Sequence, residues 1–179
     1  MVGGLRYLVH TRPDITCAVG VVSRFMERPM VLHQNAVKRI LRYVQRTVNY
    51  GLIYHKGRGN YLLSRFSDSN LAGNIHDRKS TGEMAFYLDE SMITWVSQKQ
   101  HCVSLSSCEA EFMAATATAC QGIWLHRLFC QISDVQPGPV VIYIDNRSAI
   151  DLARNPVFMV EASTLTCVTT SLESALKME

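Results

Sequence analysis

SCEAEFMAATATACQGIWLHRLFCQI, residues 107–132, is where the chain changes period, and its reading decides the fold class. Phe112, Ala119, Ile123, Trp124 and Leu128 recur at the spacing of one helix face, so a long helix is expected with these residues on one side. Upstream lie GLIYHK (51–56), NYLLSRFSD (60–68), EMAFYL (83–88) and MITWVS (92–97), short strand-like runs separated by Gly, Asn, Asp and Ser. They predict an antiparallel meander. Downstream, VVIYID (140–145) reads as a continuous apolar strand and RSAIDLARN (147–155) as a short helix. Strands, a long helix, another strand and a helix make an α/β layout whose last strand follows a helical crossover.

The N-terminal part reads differently. GGLRYLVHTRPDITCAVGVVSRFM (3–26) opens in mid-pattern without a cap, so Met1 is not expected to be a natural domain start. In HQNAVKRILRYVQRTV (33–48), Val37, Ile40, Leu41 and Val44 share a helical spacing, and Lys38, Arg39, Arg42 and Arg46 fall largely on the other faces. This predicts a basic amphipathic helix. The net charge of +3 conceals a division: residues 1–60 carry +8 and residues 61–179 carry −5. Two structural units are implied, the basic one suited to phosphate and the acidic one to a metal ion, although a solvated helix face would give the same counts.

At 179 residues, 47% apolar and 18% charged, the chain can bury a core and is neither collagenous nor a disordered tail. No apolar run reaches the roughly 18 residues of a spanning helix, and no signal-peptide pattern opens the sequence. A cytoplasmic or nuclear protein, not secreted and not in a membrane, is expected. Cysteines 17, 102, 108, 120, 130 and 167 have no zinc-ligand spacing, so free buried thiols are expected.

Three acids stand where apolar runs meet polar residues: Asp68, Glu111 and Asp145. Carboxylates gathered at strand ends repel one another unless a cation neutralises them, and oxygen-only ligation suits Mg²⁺ or Mn²⁺. The same acids also read as turn residues and a helix N-terminal charge, and spacing leaves both readings open.

The motifs GGLRYLVHTRPDI, HQNAVKRILRYV, YGLIY, FSDSNLAG, DRKST, SLSSCEAEF, IWLHRLF and YIDNRSAIDLARNPVF occur in one order from Gly3 to Phe158. In that order the sequence resembles copia-type retrotransposon Pol polyproteins, at the end of the reverse transcriptase and the ribonuclease H domain. The resemblance implies a helical end of the reverse transcriptase over residues 1–50 and an incomplete ribonuclease H-like domain over 51–158. That fold has three antiparallel strands, a helix, a fourth strand and a helix. Residues 159–179 would form a disordered tail. Asp68 in FSDSN, Glu111 in CEAEF and Asp145 in YIDN match the catalytic and metal-binding acids; the choice of Glu111 over Glu109 rests on the resemblance alone. It further implies two Mg²⁺ or Mn²⁺ ions, hydrolysis of the RNA strand of an RNA–DNA hybrid during reverse transcription, and a reverse transcriptase part in the same polyprotein. Lys38, Arg39, Arg42 and Arg46 would help hold the nucleic acid. Sequence-specific recognition is not implied, because such hybrids are read by shape and 2′-hydroxyls.

Asn70 and Leu71 stand where that family shows aspartate and tryptophan, and Glu83 where it shows glycine. The largest departure is MVEASTLTCVTTSLESALKME (159–179), with seven Ser/Thr and no aromatic residue. The family continues with a segment close to HGRSKHIDVRYHFIREC. Synonymous codons for Met159–Ala175, preceded by one C and read a base earlier, translate as that segment. Only the first base of each recovered codon was free to choose. A frameshift at or just after Phe158 is therefore expected, removing the final strand and helix and the fourth acid of the site. Such a copy would bind metal more weakly and be impaired or inactive, a degenerate Pol fragment with at most nucleic-acid binding, and its last strand would become an exposed apolar edge.

Overall fold

A computed structural model describes residues 1–56, 62–74, 77–133 and 141–154. The expected boundary at Phe158 and the 159–179 tail lie outside the described residues. The chain divides into two units, Met1–Tyr54 and His55–Glu179.

The first unit holds three helices, α1 (Val2–Leu8), α2 (Thr16–Ser23) and α3 (Val31–Arg46), with a 3-10 turn at Pro13–Ile15. Its core is Leu5, Ile15, Val19, Val22, Val37 and Ile40, so α3 spends its apolar stripe on its own unit. Buried Arg12 ties the parts together. Its guanidinium donates to both oxygens of Asp14, at 2.9 and 2.7 Å, and to the carbonyl and hydroxyl of Thr47, which closes the C-terminus of α3. A cation there also complements the helix dipole.

The second unit contains β1 (Leu63–Asn70), β2 (Thr81–Leu88), β3 (Ser91–Lys99), α4 (Ser107–Ile132), β4 (Val141–Ile144) and α5 (Arg147–Arg154). The sheet order is β3-β2-β1-β4. The first three strands form an antiparallel meander and β4 runs parallel to β1, as a helical crossover requires. The unit is α/β, with a mixed sheet. No described helix is long and apolar enough to cross a membrane.

Three expectations need correcting. The described cysteines form no disulfide but are not buried: Cys17 is exposed and Cys102, Cys108, Cys120 and Cys130 are partly exposed. GLIYHK (51–56) forms no strand: Ile53 and Tyr54 are exposed and the His55 N–H bonds to the Ser91 hydroxyl, so the stretch has apolar residues but no ladder. Trp124 is exposed, not packed with Phe112. The buried residues of α4 include Ala110, Phe112, Ala114, Ala115, Thr118 and Gly122, and most of these are small. Close approach of helix to sheet selects small side chains, and the bulky indole is left outside.

β1 alternates strictly. Leu63, Arg65 and Ser67 are buried, whereas Phe66 and Asp68 are exposed. Arg65 donates to the carbonyls of Thr118 and Ala119 on α4, at 3.2 Å each, and burial lowers its pKa to about 10. On the exposed face Phe66 stacks on Tyr143 with ring centroids 5.0 Å apart and meets Tyr87 edge-on at 5.6 Å. β4 is an edge strand of the described sheet, with Val141 and Tyr143 exposed.

Candidate metal centre

Asp68 lies near the C-terminal end of β1, Glu111 in the second turn of α4, and Asp145 directly after β4. β1 and β4 are parallel neighbours with Ser67 opposite Ile144, so the residues that follow, Asp68 still within β1 and Asp145 just past β4, come side by side at one end of the sheet. α4 delivers Glu111 to the same end. One carboxylate oxygen from each of the three residues lies within 4.8 Å of the others.

Local structure fixes each acid. The Ser69 N–H donates to Oδ1 of Asp68 at 2.6 Å and to Oε1 of Glu111 at 3.0 Å, linking strand and helix through one backbone group. Asn146 accepts the N–H of Ala149 at 3.2 Å and so caps α5, holding Asp145 between a strand end and a capped helix. Packing of Phe112 and Ala149 with Ile144 and Leu152 seats α5 against α4 and β4.

Glu111 is only 6% exposed, and its Oε2 has no hydrogen-bond partner. Burial first, then the charges of Asp68 and Asp145, raise its pKa to about 7. A buried carboxylate with one orphaned oxygen, gathered with two further carboxylates, is an arrangement that a hard divalent cation relieves. Asp68 and Asp145 are exposed, so the cluster opens to solvent on their side.

Glu109, which spacing could not separate from Glu111, does a different job. Its N–H donates to the N-cap Ser106 hydroxyl at 3.1 Å and its Oε2 accepts the Leu105 N–H at 2.7 Å. Two residues along a helix turn the side chain by roughly 200°, so one acid faces the helix start and the other the cluster. Ser106-x-x-Glu109 is a capping-box pattern readable in the sequence. The backbone N–H of Ser69, by contrast, has no sequence signal.

Lys38, Arg39, Arg42 and Arg46 are all exposed on α3 in the other unit. The ion pairs found among the described residues, Arg12 with Asp14 and Lys99 with Asp77, involve none of them. Leu71 is exposed, and Glu83 sits on β2 as the register partner of Asp68.

Among curated proteins, the chain is 44% identical over 158 residues to the Retrovirus-related Pol polyprotein from transposon TNT 1-94 of Nicotiana tabacum, covering 88% of this chain and 12% of that protein. It is 41% identical over 158 residues to the corresponding polyprotein from transposon RE1 of Arabidopsis thaliana, covering 88% of this chain and 11% of that protein. The Secreted RxLR effector protein 161 of Plasmopara viticola is 42% identical over 125 residues, 69% of this chain and 87% of the effector. The chain thus spans about an eighth of the length of the Pol polyproteins that it matches. No protein-family model and no solved structure matches it.

Proposed function

The chain belongs to the copia-type, retrovirus-related Pol polyproteins of transposons, and from that membership we propose that its second unit is a ribonuclease H-type domain acting on the RNA strand of RNA–DNA hybrids. The order of three antiparallel strands, long helix, parallel strand and helix supports a ribonuclease H-like fold. The observation that carries the reading is the meeting of the Asp68, Glu111 and Asp145 carboxylates, with Oε2 of Glu111 buried and unpartnered.

In this reading the three acids hold Mg²⁺ or Mn²⁺. Such ions, when bound, would supply water activation and charge stabilisation of the leaving oxygen for hydrolysis of an RNA phosphodiester. Glu111, anchored by the Ser69 N–H, is the inner ligand, and the exposed Asp68 and Asp145 face the substrate side. The exposed cations of α3 contribute phosphate contacts, and the reverse transcriptase part of the polyprotein would supply the hybrid as it forms.

The frameshift reading of 159–179 makes this copy a weakened one, since the acid that the downstream segment would bring to the site is lost and divalent cations are held less tightly and positioned less well without it. Purified chain, a labelled hybrid and Mg²⁺ form the test. Cleavage close to background is expected, and any cleavage present is expected to vanish in Asp68→Asn. Brisk cleavage abolished by Asp68→Asn overturns the impairment but keeps the domain assignment. Cleavage indifferent to Asp68→Asn removes the assignment. Genomic DNA across codons 156–175 that lacks an HGRSKHID-like alternative frame removes the frameshift.

A further inference from the structure

Asp68 on β1 and Glu83 on β2 are directly opposed in the antiparallel register. Directly opposed residues project from the same face of a sheet with Cβ atoms about 4.5–5.5 Å apart, and two like charges so placed destabilise the pair. Nothing cationic is paired with either: the two ion pairs found among the described residues are Arg12 with Asp14 and Lys99 with Asp77. The Glu83 carboxylate takes one hydrogen bond, from the Ser97 hydroxyl to Oε1 at 2.9 Å, which leaves Oε2 without a partner among the described residues. Two acids held together in this way are relieved by a cation shared between them.

A second observation, independent of that register, says that the neighbouring cluster is built for a ligand. Oε2 of Glu111 is buried and has no hydrogen-bond partner, and Glu111 belongs to the group of carboxylates that includes Asp68. Glu83 is not one of the three acids whose oxygens lie within 4.8 Å of one another, so its carboxylate reaches a cation on the open side of Asp68 only by leaving Ser97. Glu83 is half-buried and lies on the sheet face that it shares with Asp68.

We propose that Glu83 is an additional carboxylate ligand of the centre formed by Asp68, Glu111 and Asp145, engaging a divalent cation jointly with Asp68 by turning its carboxylate away from Ser97. The inference rests on the metal-centre reading above and deepens it. Ser97 then acts as the resting partner of Glu83 when no cation is bound, and exchanging one hydroxyl for a cation is the change that binding brings about at β2.

The test is Mn²⁺ binding by the full chain at pH 8, followed through the electron paramagnetic resonance signal of free Mn²⁺, together with melting in EDTA. Glu83→Gln is expected to weaken Mn²⁺ binding about tenfold, while its melting in EDTA stays at or above that of the unaltered chain because a like-charge pair has been removed. Ser97→Ala is expected to leave Mn²⁺ binding equal or tighter. Mn²⁺ affinity unchanged in Glu83→Gln, but lost in Asp68→Asn, overturns the role of Glu83 and keeps the centre. Weakening of equal size in Glu83→Gln and Ser97→Ala overturns it too, by showing that the pair acts only as a structural link. Binding that survives Asp68→Asn and Glu83→Gln alike overturns the centre and this ligand together.

Discussion

The guanidinium of Arg65 fills the space that Gly122 leaves open on α4: a Cβ at Gly122 would collide with Nη1, Cζ and Nε of that side chain. A glycine in a helix interior costs about 1 kcal/mol relative to alanine, and here the vacancy lets a buried cation reach two helix carbonyls.

Gly122→Ala is therefore expected to destabilise the chain by about 2 kcal/mol despite its better helix propensity, because the displaced guanidinium loses charge-assisted bonds and stays buried. Arg65→Met combined with Gly122→Ala should recover most of that loss. Urea melts of the two single variants and the double variant measure the coupling, and strict additivity would show that the two residues are independent.

The pKa of Glu111 in the folded chain is about 7, against an ordinary value of 4.5. A carboxyl raised by folding keeps its proton between those values, so the folded state gains relative to the unfolded one at low pH. That advantage is lost as pH climbs from 4.5 to 7. Without divalent cation, the melting temperature of Glu111→Gln should match that of the unaltered chain near pH 4.5 and exceed it at pH 8. Mg²⁺ selects the ionised form and should stabilise the unaltered chain at pH 8, by about 2.7 kcal/mol at a hundredfold excess over Kd, but not at pH 5. A Mg²⁺ effect of equal size at both pH values would refute ligation by Glu111.

Glu109 and Glu111 separate cleanly by experiment. Glu109→Ala should cost about 1 kcal/mol through loss of the α4 cap and leave the Mg²⁺-induced rise in melting temperature unchanged. Glu111→Ala should remove that rise. The same scan on the two variants, with and without Mg²⁺, reads both effects.

Binding of an RNA–DNA hybrid by the full chain in EDTA should weaken with salt, with a log–log slope of about −3.6 if all four α3 cations meet phosphates, each releasing roughly 0.9 of a counterion. Replacing Lys38, Arg39, Arg42 and Arg46 by Gln preserves helix propensity and should bring the slope close to zero. Fluorescence anisotropy over a salt series measures it, and an unchanged slope in the fourfold variant would place the contacts elsewhere.

Much of the α/β layout was legible because periodicity follows burial. The long helix was expected from Ser107 to Ile132 and is found over those residues. GLIYHK misled because β-propensity reports a surface suited to pairing and does not supply the partner strand. Trp124 misled because helical spacing predicts which residues share a face, and here size decided which face could approach β1. The three acids were legible as residues and, through the resemblance, as one metal-binding set, but spacing alone left their meeting open. Their meeting depends on the parallel pairing of β1 with β4 and on one backbone N–H, and neither leaves a mark in composition. The opposition of Asp68 and Glu83 depends on register in the same way.

Phe66 touches both Tyr87 and Tyr143 on a sheet face where Phe66 and Tyr143 are each about half exposed, beside an edge strand of only four residues. Clustered rings open to water attract other apolar surfaces, and an edge with no partner strand among the described residues offers main-chain groups to the first strand that meets it. The handling of this protein is thus set by collision frequency. Dilute solutions favour the dispersed chain, whereas crowding and high expression favour contacts between copies and capture by the chaperones and proteases that survey exposed apolar surface. Abundance in a cell would then be limited by clearance before it is limited by synthesis.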